Sequence, residues 1–370
     1  DTIQWATWTR QLQRTADSAA LAGVHALSHG DDATAGPDRD LLINSHVGIA
    51  FLSKVIEPPP TSGPYAGDTN AVRVILKIQK RLGFSSLFMA NAPVITTSAT
   101  ATLVDTGEYC LVTLKKTGTA LTIGGSSNVH MGCGAISNST DEESVDTLGN
   151  AHNFVADPVA AAGGTPDSIN GVTDLQPHHT PLPDPYAGKY STDIDGMTCR
   201  NFNHNSMTNA DGSKKPGCYN SFGGGVLSPG TYYLNGADIK LSGQERIEGT
   251  GVTIILTGDD PGTIDMTGNS SMNITAPTTG DYANMLIIQA ANADPDNLSK
   301  INGDNASGYD GAIYFPKGNI EFTGSSASAT KCAMVVSYTV KFSGNTNLQN
   351  DTVGCTADTT VMGQVVRLVG

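Results

Sequence analysis

Charge is scarce in this chain. Only 15% of its 370 residues are Asp, Glu, Lys or Arg, and 21 basic side chains face 35 acidic ones. A net charge of −14 without a basic stripe excludes nucleic acid as a partner, because phosphate binding needs clustered Lys and Arg. From residue 121 onward only Arg200, Arg246 and Arg367 carry guanidinium groups. The acidity suits a surface that stays apart from anionic cell envelopes. Long apolar runs are also missing, so no membrane-spanning helix is expected, and no signal peptide is visible. No cysteines are spaced as CxxC, which argues against a zinc or dithiol motif. A G-x-S-x-G elbow is absent as well, leaving a nucleophilic hydrolase without support.

What the chain has instead is glycine, 42 residues of it, together with Thr, Ser and Asn concentrated in the second half. That bias favours an all-β architecture with many turns. In sequence order the six cysteines form the local pairs Cys110–Cys133, Cys199–Cys218 and Cys332–Cys355, separated by 23, 19 and 23 residues. An even count in such a chain reads as three disulfides formed outside the cytoplasm, and the alternative is six buried thiols.

Residues 1–30 form a helix candidate without proline. It has no capping signal and lacks a wide stripe of large apolar side chains. Small residues recur at a spacing of four: Ala16 with Ala20, Ala19 with Gly23, and Ala22 with Ala26. They would let another backbone approach closely, making Ala16, Ala19, Ala20 and Gly23 a candidate assembly face. Residues 31–70 read as a linker with a short helix in "LLINSHVGIAFLSKVI", and 71–106 as a small β-rich module with strands at 71–78 and 92–104. Between those strands, Leu82, Phe84, Leu87, Phe88 and Met89 suggest a small core, with a lipid-dipping loop as the alternative.

From 107 to 370 a short motif repeats: "LTIGG" at 121, "IKLSG" at 239, "IDMTG" at 264, "IEFTG" at 320 and "VKFSG" at 340. Apolar residues alternate with a polar one before a glycine corner, at intervals near one coil of a parallel β-helix. The expected fold is therefore mainly β: a right-handed parallel β-helix with an N-terminal α-helix and a small α+β module. Residues 138–225 lack the repeat and read as a loop-rich excursion.

"WTRQLQRTADSAALAGVHAL" resembles the Gln- and Ala-rich helix that follows the membrane anchor in TadE/TadG-type proteins of the Tad (tight adherence) pilus system. Gln13, Ala16, Asp17, Ala19, Ala20, Leu21, Ala22 and Gly23 carry the likeness. "FSSLFMANAPVITTSATATLV" is similar to a strand pair of that family. "GCGAISNS", "LPDPYAG", "LSPGTYYL", "NITAPTTG" and "GAIYFP" resemble blocks of Tad-associated secreted proteins with a β-helical C-terminal part. The resemblance implies the bacterial envelope and its filaments as the setting, a membrane-anchored precursor, and pilus components as partners.

Catalysis has weak candidates in Asp259 with Asp260, and the chain reads as a non-enzyme; a β-helical polysaccharide-active enzyme is the remote alternative. No cofactor is expected. Calcium has candidate oxygen ligands in Asp294, Asp296, Asp304 and Asp310, although their spacing matches no standard calcium loop. His178 and His179, with His152 or His204, form a weaker metal candidate. The leading expectation is a structural subunit that forms homo-oligomers or filaments through its helix and β-helix ends; the end strands must be capped or paired with another chain, and the apolar strand in "TTVMGQVVRLVG" suits either use. The alternative is an adhesin that binds surface glycans through the β-helix flank or the 138–225 excursion, with Tyr186, Tyr190, Tyr232 and Tyr233 as the contacts to test.

Overall fold

The computed structural model describes residues 2–28, 31–44, 50–81, 87, 91–149, 153–302, 307–324, 327–353, 355 and 360–370. The fold is mainly β, with an N-terminal helix pair and a parallel β-solenoid of about ten turns. The chain divides into a helix–sheet unit, 1–106 with 364–370, and a solenoid unit, 107–363. This moves the expected boundary. The last residues belong with the N-terminal unit, because Val369 N–H donates to Thr100 O at 2.9 Å and Thr100 N–H donates back to Gly370 O.

In the helix–sheet unit, α1 (Thr2–Ser28) covers a sheet of three antiparallel strands: β1 (Phe51–Glu57), β2 (Ala71–Gln79) and the first part of β3 (Val94–Thr113). A second helix, α2 (Ala35–Ile43), packs on α1. The expected linker 31–70 therefore carries two elements, and the segment read as a short helix supplies the end of α2 and strand β1. Trp8, Leu12, Thr15, Ala16, Ala19, Ala20 and Val24 recur at helical spacing and are all buried. The buried face is wide, but small residues build most of it, so it does not show as a stripe of large side chains. Gln13 Nε2 ties the helix to the sheet by donating to Ser98 O at 3.1 Å. Ser18 Oγ ties it to α2 through Asp40 at 2.9 Å. Of the apolar cluster expected between the strands, only Leu87 lies within the described residues, and it is exposed.

The solenoid is three-sided. Its longest side is a parallel ladder whose spatial order differs from sequence order. It begins at Gly217–Tyr219 and continues through Gly230–Asn235, Val252–Thr257, Met285–Gln289, the start of Ala312–Thr323 and the start of Met334–Phe342. The next strand in space is the end of β3, followed by Gly134–Ser137, Val159–Ala161 and Leu175–Gln176. The stack therefore runs 217–351 and then 109–176, and the two halves meet at a seam where Val335 opposes Leu111. The expected excursion 138–225 is thus mostly solenoid, and only 177–216 leaves the winding. Its inward positions include Ala156 and Ala161, too small to give a clear apolar alternation.

The repeated motif forms the second side. Ile239 opposes Ile264, and Ile320, Val340 and Leu121 lie in register. Between these buried residues a column of outward side chains alternates in sign: Lys240, Asp265, Lys300, Glu321 and Lys341. Glu321 and Lys341 form an ion pair at 2.9 Å, and the alternation of sign along the column opposes slippage of register.

The three expected disulfides are formed, with Cα–Cα distances of 5.8, 4.3 and 5.4 Å. Cys110–Cys133 joins consecutive turns, since the strands that follow each cysteine lie side by side.

Side chains cap the core at both solenoid ends. At the 217 end, Phe202 packs 4.7 Å from Phe222, and Lys214 Nζ lies 4.7 Å above the Phe202 ring. At the 176 end, Ile169 is buried in the core, and Phe154 N–H donates to Asn170 O at 2.8 Å. Capping side chains and a final strand of two residues blunt the edges against further pairing.

Candidate functional site

Two constellations stand out in the solenoid: a strap across its longest side and a plug at its seam. Strands on that side are buried on both faces. Inward residues such as Ile254, Ile313 and Val335 fill the bore, while Ile255, Tyr314, Met334 and Val336 form a second core outside it. Near-continuous apolar strands such as Met285–Gln289 follow from this double burial.

The second core is covered by residues 177–198, which run back along the ladder from one end to the other. His179 N–H donates to Ala161 O at 2.8 Å. Asn138 then grips Leu182 from both sides, accepting from its N–H at 2.9 Å and donating to its C=O at 2.8 Å. Tyr314 Oη donates to Asp184 at 2.8 Å, Tyr282 Oη donates to Ser191 O at 2.6 Å, and Thr257 donates to Thr192 O. Cys199–Cys218 fastens the far end to the first turn. The return of residues 177–198 could have stayed a loop; paired backbone and buried aromatics make it part of the fold.

The tyrosines here act as neutral donors. Burial, and then the Asp184 carboxylate, push the Tyr314 hydroxyl well above its ordinary value. Burial and then Tyr233 do the same at Tyr282. Inside the bore, burial pushes Tyr219 up to about 12. None of them is poised for proton transfer near neutral pH.

The plug is Asn350. Its side chain is buried and accepts from Ala333 N–H at 2.9 Å and from Thr330 Oγ1 at 3.3 Å. It donates to Ala333 O at 3.0 Å and to Met131 O at 3.1 Å. Thr330 and Ala333 belong to the 217–351 half and Met131 to the other, so one amide sews the seam. Beside it, Asn347, Asn128 and Asn153 form a ladder of side-chain amides, at 3.3 and 2.9 Å.

The residues singled out in the sequence fare differently. Ala16, Ala19 and Ala20 are each 0% exposed, and a Cβ on Gly23 would lie 2.8 Å from Val72 and 2.9 Å from Pro37. The small-residue face of α1 is therefore occupied by this chain's own β2 and α2, which corrects its reading as an assembly face. Asp294 and Asp296 share a turn in which Asp294 accepts from the Asp296 N–H at 2.9 Å. Asp310 sits at the far end of the same winding, on Gly308–Asp310, and Asp304 lies outside the described residues. The three calcium candidates among the described residues are not grouped to hold an ion. Among the described residues no three His, Cys, Asp or Glu side chains are grouped to hold a metal ion. His179 is buried against Tyr109, with ring centroids 6.0 Å apart, and His204 caps a short turn at Ser206. His152 lies outside the described residues. Asp259 and Asp260 sit in an exposed turn. Tyr232 is inside the bore and Tyr186 reaches from the strap into the second core, which leaves Tyr190 and Tyr233 half-buried beside that core.

Sequence reasoning missed Asn350, Asn138 and Asp184. Each is a polar residue whose partner lies 17 to 219 residues away, so no local pattern marks it.

No protein-family model matches this chain, and neither a curated protein nor a solved structure does.

Proposed function

We propose that this chain is a structural protein of the bacterial cell surface, an extracellular component associated with Tad-type pili or comparable filaments. The observation that carries this reading is the way the two units are connected. The chain enters the solenoid through β3 and leaves it through Val361–Leu368, and both flanking segments belong to the same helix–sheet unit. A solenoid of about ten turns, braced by three disulfides, is thereby held by both of its chain ends as an inserted body. Disulfides favour an oxidising compartment, and the pilus-family likeness of α1 favours an envelope setting. Closed solenoid ends favour an accessory or displayed component over a subunit that grows by end-to-end stacking of solenoids.

Fractionation of expressing cells, with non-reducing electrophoresis and immunogold electron microscopy, tests the proposal. The expected result is envelope or extracellular protein with all six cysteines oxidised and label at the cell surface or along filaments. Reduced protein confined to the cytoplasm would overturn it.

A further inference from the structure

The two edges of the sheet in the helix–sheet unit differ. At the β3 edge, Ser98 O accepts from Gln13 Nε2 at 3.1 Å, Thr100 O accepts from Val369 N–H at 2.9 Å, and Thr100 N–H donates to Gly370 O. At the other edge β1 pairs with β2, and among the described residues nothing pairs with its outer side. Successive residues of an antiparallel sheet turn their N–H and C=O to one neighbouring strand and then to the other. Thr100 turns both groups away from β2, so Arg73 opposite it turns to β1 and bonds Glu57. Two residues on, Ile75 bonds Val55 in the same way. Lys54 and Ile56, on either side of Val55, therefore present their N–H and C=O groups outward.

No residue of β1 is fully buried, and Leu52 and Val55 are 56% and 40% exposed. A projecting charge commonly guards such an edge against other strands. Lys54 could serve, but its ammonium is held by Asp38 of α2 at 2.7 Å. Leu42, 79% exposed, stands one turn beyond Asp38, on the face of α2 that Asp38 turns to β1. The edge thus offers unpaired backbone groups with apolar side chains beside them.

We infer that β1 pairs edge to edge with β1 of a second copy, antiparallel about a two-fold axis at Val55. In that register Lys54 of each chain faces Ile56 of the other, and the two residues exchange both N–H···O=C bonds. Val55 meets Val55 on the face away from α1. Ser53, which Lys77 of β2 flanks, faces Glu57 of the second copy, so a small residue stands between opposite charges. A centre on Lys54 would set two ammonium groups opposite each other. A centre on Ile56 would call on Pro58, which has no N–H to give. Charge also favours a second copy as the occupant. The helix–sheet unit carries nine of the 21 basic residues and nine of the 35 acidic ones, so it is neutral, and the solenoid unit holds the whole excess of −14. Copies that meet on β1 join through the neutral part of each chain, in a closed two-fold contact. The inference goes beyond the role proposed above and does not rest on it.

Sedimentation velocity of the full chain over a range of concentrations tests this, and the expected result is a monomer–dimer equilibrium. Val55→Lys places two like charges at the axis and should weaken the dimer roughly tenfold or more, with an unchanged circular dichroism spectrum. Val55→Cys tests the register. Facing Cα atoms at a site without hydrogen bonds lie about 4.5 Å apart, within the span of a disulfide, so mild oxidation should link the two copies at position 55. Glu57→Cys, with its Cα atoms roughly 14 Å apart across the axis, should stay unlinked. The native cysteines are already paired with one another and do not compete. A monomer at every concentration would overturn the inference and leave the edge to a strand of another protein. A dimer that Val55→Lys leaves intact, or that Val55→Cys fails to cross-link, would overturn it too and assign the association to another surface.

Discussion

Replacing Asn350 with alanine removes a buried side chain that bonds to both halves of the solenoid. The change takes away two acceptor and two donor interactions within 3.3 Å. Thr330 keeps a second acceptor, Gln349 O at 3.1 Å, so its hydroxyl is not stranded. Three buried backbone groups do lose their partner: Ala333 N–H, Ala333 O and Met131 O. Each such group costs about 1–3 kcal/mol, and a water entering the vacated space recovers part of it, so Asn350→Ala should destabilise the solenoid by about 3–5 kcal/mol. Asn347→Ala, which removes a single 3.3 Å amide contact nearby, should cost less than about 1 kcal/mol. Urea unfolding followed by far-UV circular dichroism measures the difference. Hydrogen exchange then localises it: amides of 109–130 and 334–351 should lose protection first, because the ladder between them is what the plug supports. An Asn350→Ala protein within about 1 kcal/mol of the parent, with seam amides as protected as before, would refute the reasoning.

Tyr314→Phe deletes the bond to Asp184 and should raise the rate of proteolytic cleavage within 177–198 roughly tenfold, while cleavage elsewhere is unchanged. Gly36→Ala would place a Cβ 2.3 Å from Ala22 O, so α2 must shift from α1; a loss of about 1–3 kcal/mol is expected in thermal unfolding read by tryptophan fluorescence. Burial raises the pKa of Glu321, but bonds from Lys341 and Ser343 outweigh it and hold the carboxyl below its usual value. Its contribution is therefore complete above the unfolded pKa of about 4.3 and is lost as pH falls through the lower folded value. In acid titrations, Glu321→Gln should flatten the fall in stability below about pH 4.5.

The parts of the fold that could be read in the sequence are those written locally. The motif at 121, 239, 264, 320 and 340 marks strands of one solenoid side, because an inward-outward-inward triplet followed by a glycine corner is complete within five residues. Cys110 and Cys133 could be paired because one winding of chain separates them. Strands such as Val145–Leu148 and Leu298–Asn302 belong to the same side and precede a glycine in sequence, but a polar residue, Thr147 opposite Ile123 or Ser299 opposite Ile320, replaces one of the two apolar positions and hides the signal. Stack order was not legible at all, since a repeat specifies that turns stack and not which turn stacks on which. The spacing of Ala16, Ala19, Ala20 and Gly23 correctly marks a close backbone approach. Whose side chains close on it is decided by Val72 and Pro37, which lie beyond the helix in other elements. At the candidate sites, Asp294 and Asp296 read as ligands only because turn-forming and metal-binding carboxylates share a composition; the hydrogen bond to the Asp296 N–H identifies the turn.

The permuted stack also sets a timetable. Residues 109–130 emerge early from the ribosome, but the strands that cover their open edge come from 334–351, and Asn350 is 240 residues from Cys110. At translation speeds of about 5–20 residues per second, that edge waits roughly 10–50 seconds for its partner. For that interval the nascent chain holds an unsatisfied parallel edge of the kind that recruits foreign strands. Folding of the early half alone would be premature, and a mechanism that delays it until the whole chain is available, such as passage across a membrane in an unfolded state, would remove the hazard.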